Sequence, residues 1–226
     1  MVMMGMLYLA AQTPARAAST EAVTQTFGFQ PTNWETPVDL PLFDSSLGTL
    51  DGIVFQLDST VGGTAAYESL DTNAQTITLL LGAEIEVGAP SGLIGVSEMV
   101  TTAPQIEIVE SASGFDGVID LNGTSGSTFA GLNQSDSSSV TYDSNNPLWE
   151  FSIRDYFTTD TPGSTVELPV SAVTRSYGSG TPNLLTLLQT SAGAELTVTY
   201  IYTAIPEPSS LALLTSGLLL CGWRRR

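Results

Sequence analysis

The sequence predicts an all-β protein: an antiparallel, jelly-roll-like β-sandwich with a short C-terminal hydrophobic helix outside the domain. Three observations predict it. Gly, Ser, Thr and Val are abundant while good helix formers are thin, a composition that favours strands. Short runs alternate apolar and polar residues, placing one face of each run inward. Turn residues separate the runs at intervals too short for βαβ units.

In chain order, Val23 to Phe29 is the first strand, followed by Asn33-Trp34, Leu40 to Asp44 and Leu47 to Leu50. Ile53 to Leu57 is strand-like. Gln75 to Val87 alternates over a length that fits one bent strand or two joined near Gly82. Thr101 to Pro104 breaks the chain before Gln105 to Glu110, where Ile106 and Ile108 oppose Glu107. Gly114 to Asn146 is rich in Gly, Ser, Asn and Asp, with apolar islands at Val118 to Leu121 and Phe129 to Leu132. It reads as strands with long polar loops, Ser135 to Ser139 being loop. Leu148 to Ile153 and Thr165 to Val170 are read as short strands, and Leu184 to Leu188 as a short helical turn. The clearest strand is Glu195 to Tyr202, with Leu196, Val198, Tyr200 and Tyr202 on one face. Trp34 and Phe43 are large enough to anchor one end of the core, and Gly48 and Gly117 are expected to supply positive φ at turns.

Charge and missing residue types exclude several functions. The chain carries 23 acids against six basic residues, a net charge of −17. Arg16 lies near the front and Arg224, Arg225 and Arg226 close the chain, so the body keeps only Arg154 and Arg175, giving it about −20. Such a surface repels nucleic acid and anionic lipid head groups. There is no His, and the one Cys, Cys221, lies in the tail. Imidazole dyads, thiol nucleophiles and disulfides are therefore absent from the body. The body is read as non-enzymatic, with no cofactor.

Asp116, Asp120 and Asn122, in Asp116-Gly117-Val118-Ile119-Asp120-Leu121-Asn122-Gly123, are the best metal candidates. Ca²⁺ takes six to eight oxygens, and this stretch lacks the spacing and closing Glu of an EF-hand loop. Two hairpin turns, Asp-Gly and Asn-Gly, explain the same residues without metal and are preferred. Carboxylate-based glycoside hydrolysis is the enzyme class left open, but no acid pair stands out. Trp34, Trp149, Tyr142 and Tyr156 are candidates for stacking on sugar rings, with core packing the preferred use. Arg154-Asp155 is read as a local ion pair.

The two ends of the chain carry addresses. Residues 1–17 read as a signal peptide, with an apolar run from Val2 to Ala11 and a small-x-small box, Ala15-Arg16-Ala17, ahead of Ala18. No basic residue precedes the apolar run, which a start codon placed too far downstream would explain. Residues 18–204 form the sandwich and 205–226 the tail. The tail reads Pro206-Glu207-Pro208-Ser209-Ser210, an apolar run from Leu211 to Trp223, then Arg224-Arg225-Arg226. A helix from Ser209 to Trp223 would be about 22 Å long at ~1.5 Å per residue, short for a bilayer core of roughly 30 Å. The triple Arg is a cytoplasmic stop under the positive-inside rule. This tail resembles the PEP-CTERM sorting signal of Gram-negative bacteria that secrete exopolysaccharide. The resemblance implies an exported protein, transiently anchored in the inner membrane, processed by an exosortase and placed at the cell surface or in a biofilm matrix, with exopolysaccharide as a further partner.

The body carries a second resemblance. Asn33-Trp34, Leu40-Pro41-x-Phe43-Asp44-x-x-Leu47-Gly48-Thr49-Leu50, Phe115-Asp116-Gly117-x-x-Asp120-x-x-Gly123-Thr124-Ser125-Gly126 and Leu196 to Tyr202 are similar, in order and spacing, to the choice-of-anchor E domain. That resemblance implies a secreted, anchored β domain and brings no activity and no site residues. The expected role is a structural protein of the surface or matrix. The alternatives are a carbohydrate-binding module, which an exposed row of aromatics would favour, and the glycosidase.

Overall fold

The computed structural model describes residues 18–205. Among the described residues twelve strands follow one another: β1 (Ala18–Pro31), β2 (Trp34–Pro41), β3 (Phe43–Asp44), β4 (Gly48–Ser69), β5 (Gln75–Gly88), β6 (Glu98–Thr102), β7 (Gln105–Ala112), β8 (Gly126–Asp143), β9 (Thr158–Thr159), β10 (Thr165–Thr174), β11 (Tyr177–Ser179) and β12 (Leu184–Ala204). One sheet has the order β1-β12-β4-β8. The other has β5 at its centre, with β11 and then β10 along one edge, β7 and then β6 along the other, and β2 outside β10. All of these pairings are antiparallel; β3 and β9 form a separate parallel bridge.

The pairing explains the topology. β1 pairs with β12, β2 with β10, β4 with β8, and β5 with β6 and β7. The chain is one long hairpin folded at the β5–β6 turn and rolled up, so that successive pairs alternate between the sheets. That is a jelly roll.

The sandwich is not equally wide along its length. Near Ala18 and Ile205, at the terminal pole, β1-β12-β4-β8 faces β2-β10-β5-β6. At the distal pole β1 and β2 are absent, and β12-β4-β8 faces β11-β5-β7. The apolar core divides accordingly. The terminal pole holds Phe43, Phe55, Tyr142, Trp149, Phe157 and Tyr200 among many aliphatics. The distal pole holds a small cluster of Ala65, Tyr67, Ile77, Leu79 and Ala112, edged by Phe129, Leu184 and Leu188.

Gln75 to Gly88 is one strand, and the joint expected near Gly82 lies in its neighbours instead. Residues 75–82 pair with β7 and residues 85–88 with β6, while Arg175 N–H donates to the Gly82 carbonyl where β10 gives way to β11.

Four local expectations are corrected. Ser135 to Ser139 is strand, not loop, paired with Gln56 to Thr60 of β4. β8 lies at the edge of its sheet with one face in solvent, so serines suffice there. Leu184 to Leu188 is strand, not a helical turn, in register with Ala65 to Ser69. Leu148 to Ile153 is not a strand: Trp149–Ile153 and Arg154–Tyr156 form a short helical segment. Trp149, Ile153 and Phe157 recur at a spacing of four, which puts all three on one buried face. Gly48 is extended (φ 162°), not left-handed; a Cβ there would collide with the Thr203 carbonyl oxygen on the neighbouring strand. Gly117 does take positive φ (98°).

Candidate functional site

The three regions singled out by sequence lie in different parts of the molecule. The sorting residues Pro206, Glu207 and Pro208, the stop Arg224 to Arg226, the short hydrophobic helix, and Ala15 and Ala17 of the cleavage box all lie outside the described residues. Their points of attachment lie within them. Ala18 is paired with Thr203 across β1 and β12, Ala204 sits opposite Gly48, and Ile205 N–H donates to the Leu47 carbonyl. The first and last described residues, Ala18 and Ile205, therefore lie side by side at the terminal pole. Among the described residues no helix is long and apolar enough to cross a membrane.

The Asp116 to Gly123 loop closes the distal pole. Asp116 Oδ1 accepts from Val118 N–H at 3.0 Å, and Asp120 Oδ1 accepts from Asn122 N–H at 3.0 Å. Both carboxylates thus turn back on their own backbone as Asx turns, and Asp116, Asp120 and Asn122 are all exposed. Gly117, Leu121 and Gly123 have positive φ (98°, 57° and 77°), which folds the loop tightly. Among the described residues no group of three or more acidic, His or Cys side chains is placed to hold a metal ion.

Sequence reasoning missed the residue that holds this loop. Glu68, in β4, is fully buried. It accepts the Ser125 hydroxyl at 2.5 Å and Leu121 N–H at 2.8 Å, one on each carboxylate oxygen. Thr128 Oγ1 donates to the Leu121 carbonyl at 2.9 Å and Gly126 N–H to the Asn122 carbonyl at 3.1 Å, completing the seam. The one available signal was an acid alone in Thr64-Ala65-Ala66-Tyr67-Glu68-Ser69-Leu70, otherwise small or apolar.

The four aromatic candidates are used internally. Trp149 is buried, and Tyr142, also buried, donates its hydroxyl to the Met99 carbonyl at 3.0 Å and to that of Glu98 at 3.2 Å. Burial, and secondarily Glu98, raises the Tyr142 pKa, so the phenol stays a donor. Trp34 stacks on Phe27 with ring centroids 5.8 Å apart. Tyr156 donates to the Ser91 carbonyl at 2.5 Å, tying the helical segment to the loop after β5. Exposed Phe29, Phe151 and Tyr177 lie on β1, the helical segment and β11, and form no row. Arg154 pairs more closely with Glu150 (2.5 Å) than with Asp155 (3.5 Å).

Acids converge on two outer faces. On the β4 sheet, Asp58 and Glu195 are direct cross-strand neighbours in an open groove of about 870 Å³, lined also by Phe29, Thr26, Thr60 and Ser137. On the β5 sheet, Arg175 reaches Glu84 at 3.0 Å, while Glu86 faces Glu98 and Glu84. Partial burial, then Glu98 and then Glu84, raise the Glu86 pKa.

No curated protein matches the chain. Solved structures similar to it include infectious bursal disease virus Gx strain (10% identity, 83% of this chain and 37% of that one, TM-score 0.22). Another is mud crab tombus-like virus (9% identity, 93% of each chain, TM-score 0.18). A third is the infectious bursal disease virus VP2 subviral particle (12% identity, 91% and 49%, TM-score 0.16). The chain spans about a third of the first of these and about half of the third, and likenesses this distant carry no argument. The family model described as the PEP-CTERM protein-sorting motif matches residues 204–226, beginning at the last residue of β12. The chain therefore ends in a PEP-CTERM protein-sorting motif, which marks it as an exported protein sorted by an exosortase.

Proposed function

We propose that the jelly-roll body is a non-enzymatic structural component of the cell surface or of an exopolysaccharide matrix. The tail holds it at the inner membrane until the exosortase acts. The single observation that carries this reading is the motif at residues 204–226, set directly after a strand at the heart of a sheet. A core that takes in Trp149, Tyr142, Phe43, Phe55 and Phe157 supports a structural role, since those rings are withdrawn from ligands. Both attachment points at one pole let the distal pole face outward during anchoring. Intact mass of the protein recovered from the cell surface tests the reading. The expected product begins near Ala18 and lacks Leu211 to Arg226. A mass that retains that segment would make the tail a permanent anchor.

A carbohydrate-binding module is the second reading, favoured by the groove around Phe29, Asp58 and Glu195. Its carboxylates and hydroxyls suit neutral sugars, and the acidic face disfavours anionic ones. Affinity electrophoresis through neutral polysaccharide tests it: retardation abolished by Phe29→Ala would establish the module, and free migration would remove it.

A further inference from the structure

We infer that β12 carries a self-complementary edge, residues Leu184 to Leu188, through which two copies of this chain pair antiparallel and join their four-stranded sheets into one. The inference goes beyond the structural role proposed above by naming the surface and the partner.

β1 covers β12 only as far as the pairing of Pro31 with Ser191. There the chain turns away through Asn33, whose φ is 67°, and enters β2 of the opposite sheet. The last contact on that side is Thr32 N–H donating to the Thr190 carbonyl at 3.0 Å. Backbone groups of a strand point to alternate sides with period two. Since Thr190 offers its carbonyl to the β1 side, Leu188, Thr186 and Leu184 do so too. Among the described residues these three have no backbone partner on that side. An added strand there would lie in line with β1.

Edges of this kind are ordinarily guarded by charge, proline or a bulge. This one has none of them. The run is Leu184-Leu185-Thr186-Leu187-Leu188, and no charged residue occurs from Ser176 to Ala194 in a chain of net charge −17. The acid directly across the ladder from Leu185 is Glu68, which is fully buried with both oxygens bonded. Two copies meeting here bring no exposed acids together, unlike copies meeting at the Asp58–Glu195 face.

The run reads the same in both directions, and this fixes the register. Antiparallel pairing centred on Thr186 sets Thr186 against Thr186, Leu184 against Leu188, and Leu185 against Leu187. The pairs formed by residues 184, 186 and 188 are the hydrogen-bonded ones, which is what their free groups require. Leu185 and Leu187, 42% and 47% exposed, then cover each other across the two-fold axis on the outer face. A contact of five residues a side is small, so the dimer is weak and concentration-dependent.

Cysteine cross-linking of the full chain in a Cys221→Ser background tests this, because it reads the register whatever the tail does. Thr186→Cys is expected to form an intermolecular disulfide under mild oxidation. Thr128→Cys, exposed on β8 at the opposite edge of the same sheet, is expected to lag it by about tenfold or more, being too far from its symmetry mate when the copies join at β12. Leu187→Asp should abolish the Thr186→Cys cross-link, and adding Leu185→Lys should restore it, since Lys then faces Asp in both halves. Equal cross-linking at positions 186 and 128, or none at 186, overturns the proposal. Loss with Leu187→Asp that Leu185→Lys does not repair overturns the register.

Discussion

The two poles of the sandwich solve closure differently. The terminal pole is four strands wide on each sheet and plugged by the helical segment, whose Trp149 and Ile153, with Phe157 just beyond, enter a core of rings. The distal pole is three strands wide, buries few large side chains, and is closed by a polar loop bonded to one buried carboxylate. Apolar burial scales with area and is insensitive to direction, whereas a buried carboxylate depends on particular donors. Stability should therefore be concentrated at the terminal pole, beside the tail. Local opening should be concentrated at the distal one.

The largest test of this contrast is Trp149→Ala. Emptying an aromatic site in a packed core costs about 3–5 kcal/mol, and a domain of this size loses roughly 2–4 °C in Tm per kcal/mol. Thermal unfolding should move down by about 10 °C with cooperativity kept. A shift below ~3 °C would mean that the helical segment is not part of the cooperative unit.

Glu68→Ala should do less overall and act in a different place. It leaves Leu121 N–H and the Ser125 hydroxyl without their acceptor, a loss of about 1–3 kcal/mol. Hydrogen exchange should speed up from Ser113 to Ser125 and stay unchanged around Trp149. Exchange rising equally at both poles would end the distinction drawn between them.

Cations offer a smaller test. With Asp116 and Asp120 turned onto their own backbone, Ca²⁺ should stabilise the protein no more than Mg²⁺ at equal ionic strength, both acting by screening over roughly 8–10 Å. A saturable gain specific to Ca²⁺ would be about 2.7 kcal/mol at a hundredfold excess over Kd. Such a gain, removed by Asp120→Ala, would show that the distal pole is closed by metal as well as by Glu68.

Glu86→Gln should have the smallest effect. Its pKa is raised in the fold, so the folded state favours the protonated form. Ionisation above that pKa opposes folding, and the cost is absent once pH falls below the ordinary Glu range. Gln should raise Tm by about 1 °C near pH 7, after screening at this half-buried site, and by nothing near pH 3. A gain that persists at acid pH would come from packing, not charge.

Where the sequence could be read, one face of a strand met the core and the other met water. β5, β7 and the second half of β12 are of that kind, and the tail is legible because its three parts depend on order alone. The failures have separate physical causes. In Leu184 to Leu188 leucines occupy both faces, which erases period two. Ser135 to Ser139 sits at an edge that asks little of its side chains. Leu148 to Ile153 hides a spacing of four that becomes clear only once Phe157 is counted in. Glu68 was invisible because its partners, Leu121 and Ser125, lie more than fifty residues away. The turns around Asp116 are local and their Asp and Gly residues were legible, but they are Asx turns in the loop from β7 to β8 and not the hairpin turns expected, since β7 pairs with β5 and β8 with β4.

β12 runs without a break from Leu184 to Ala204, flanked by β4 along its whole length and by β1 along its second half. Any tension delivered through the tail thus enters along the axis of an interior strand, at right angles to the hydrogen bonds on both sides. Those bonds must shear together; a tail leaving from an edge strand would instead peel them off singly. The domain should resist extraction or flow up to the force that unfolds its sheet as a whole. Because Ala18 pairs with Thr203, β1 begins right beside the end of β12 through which that load enters.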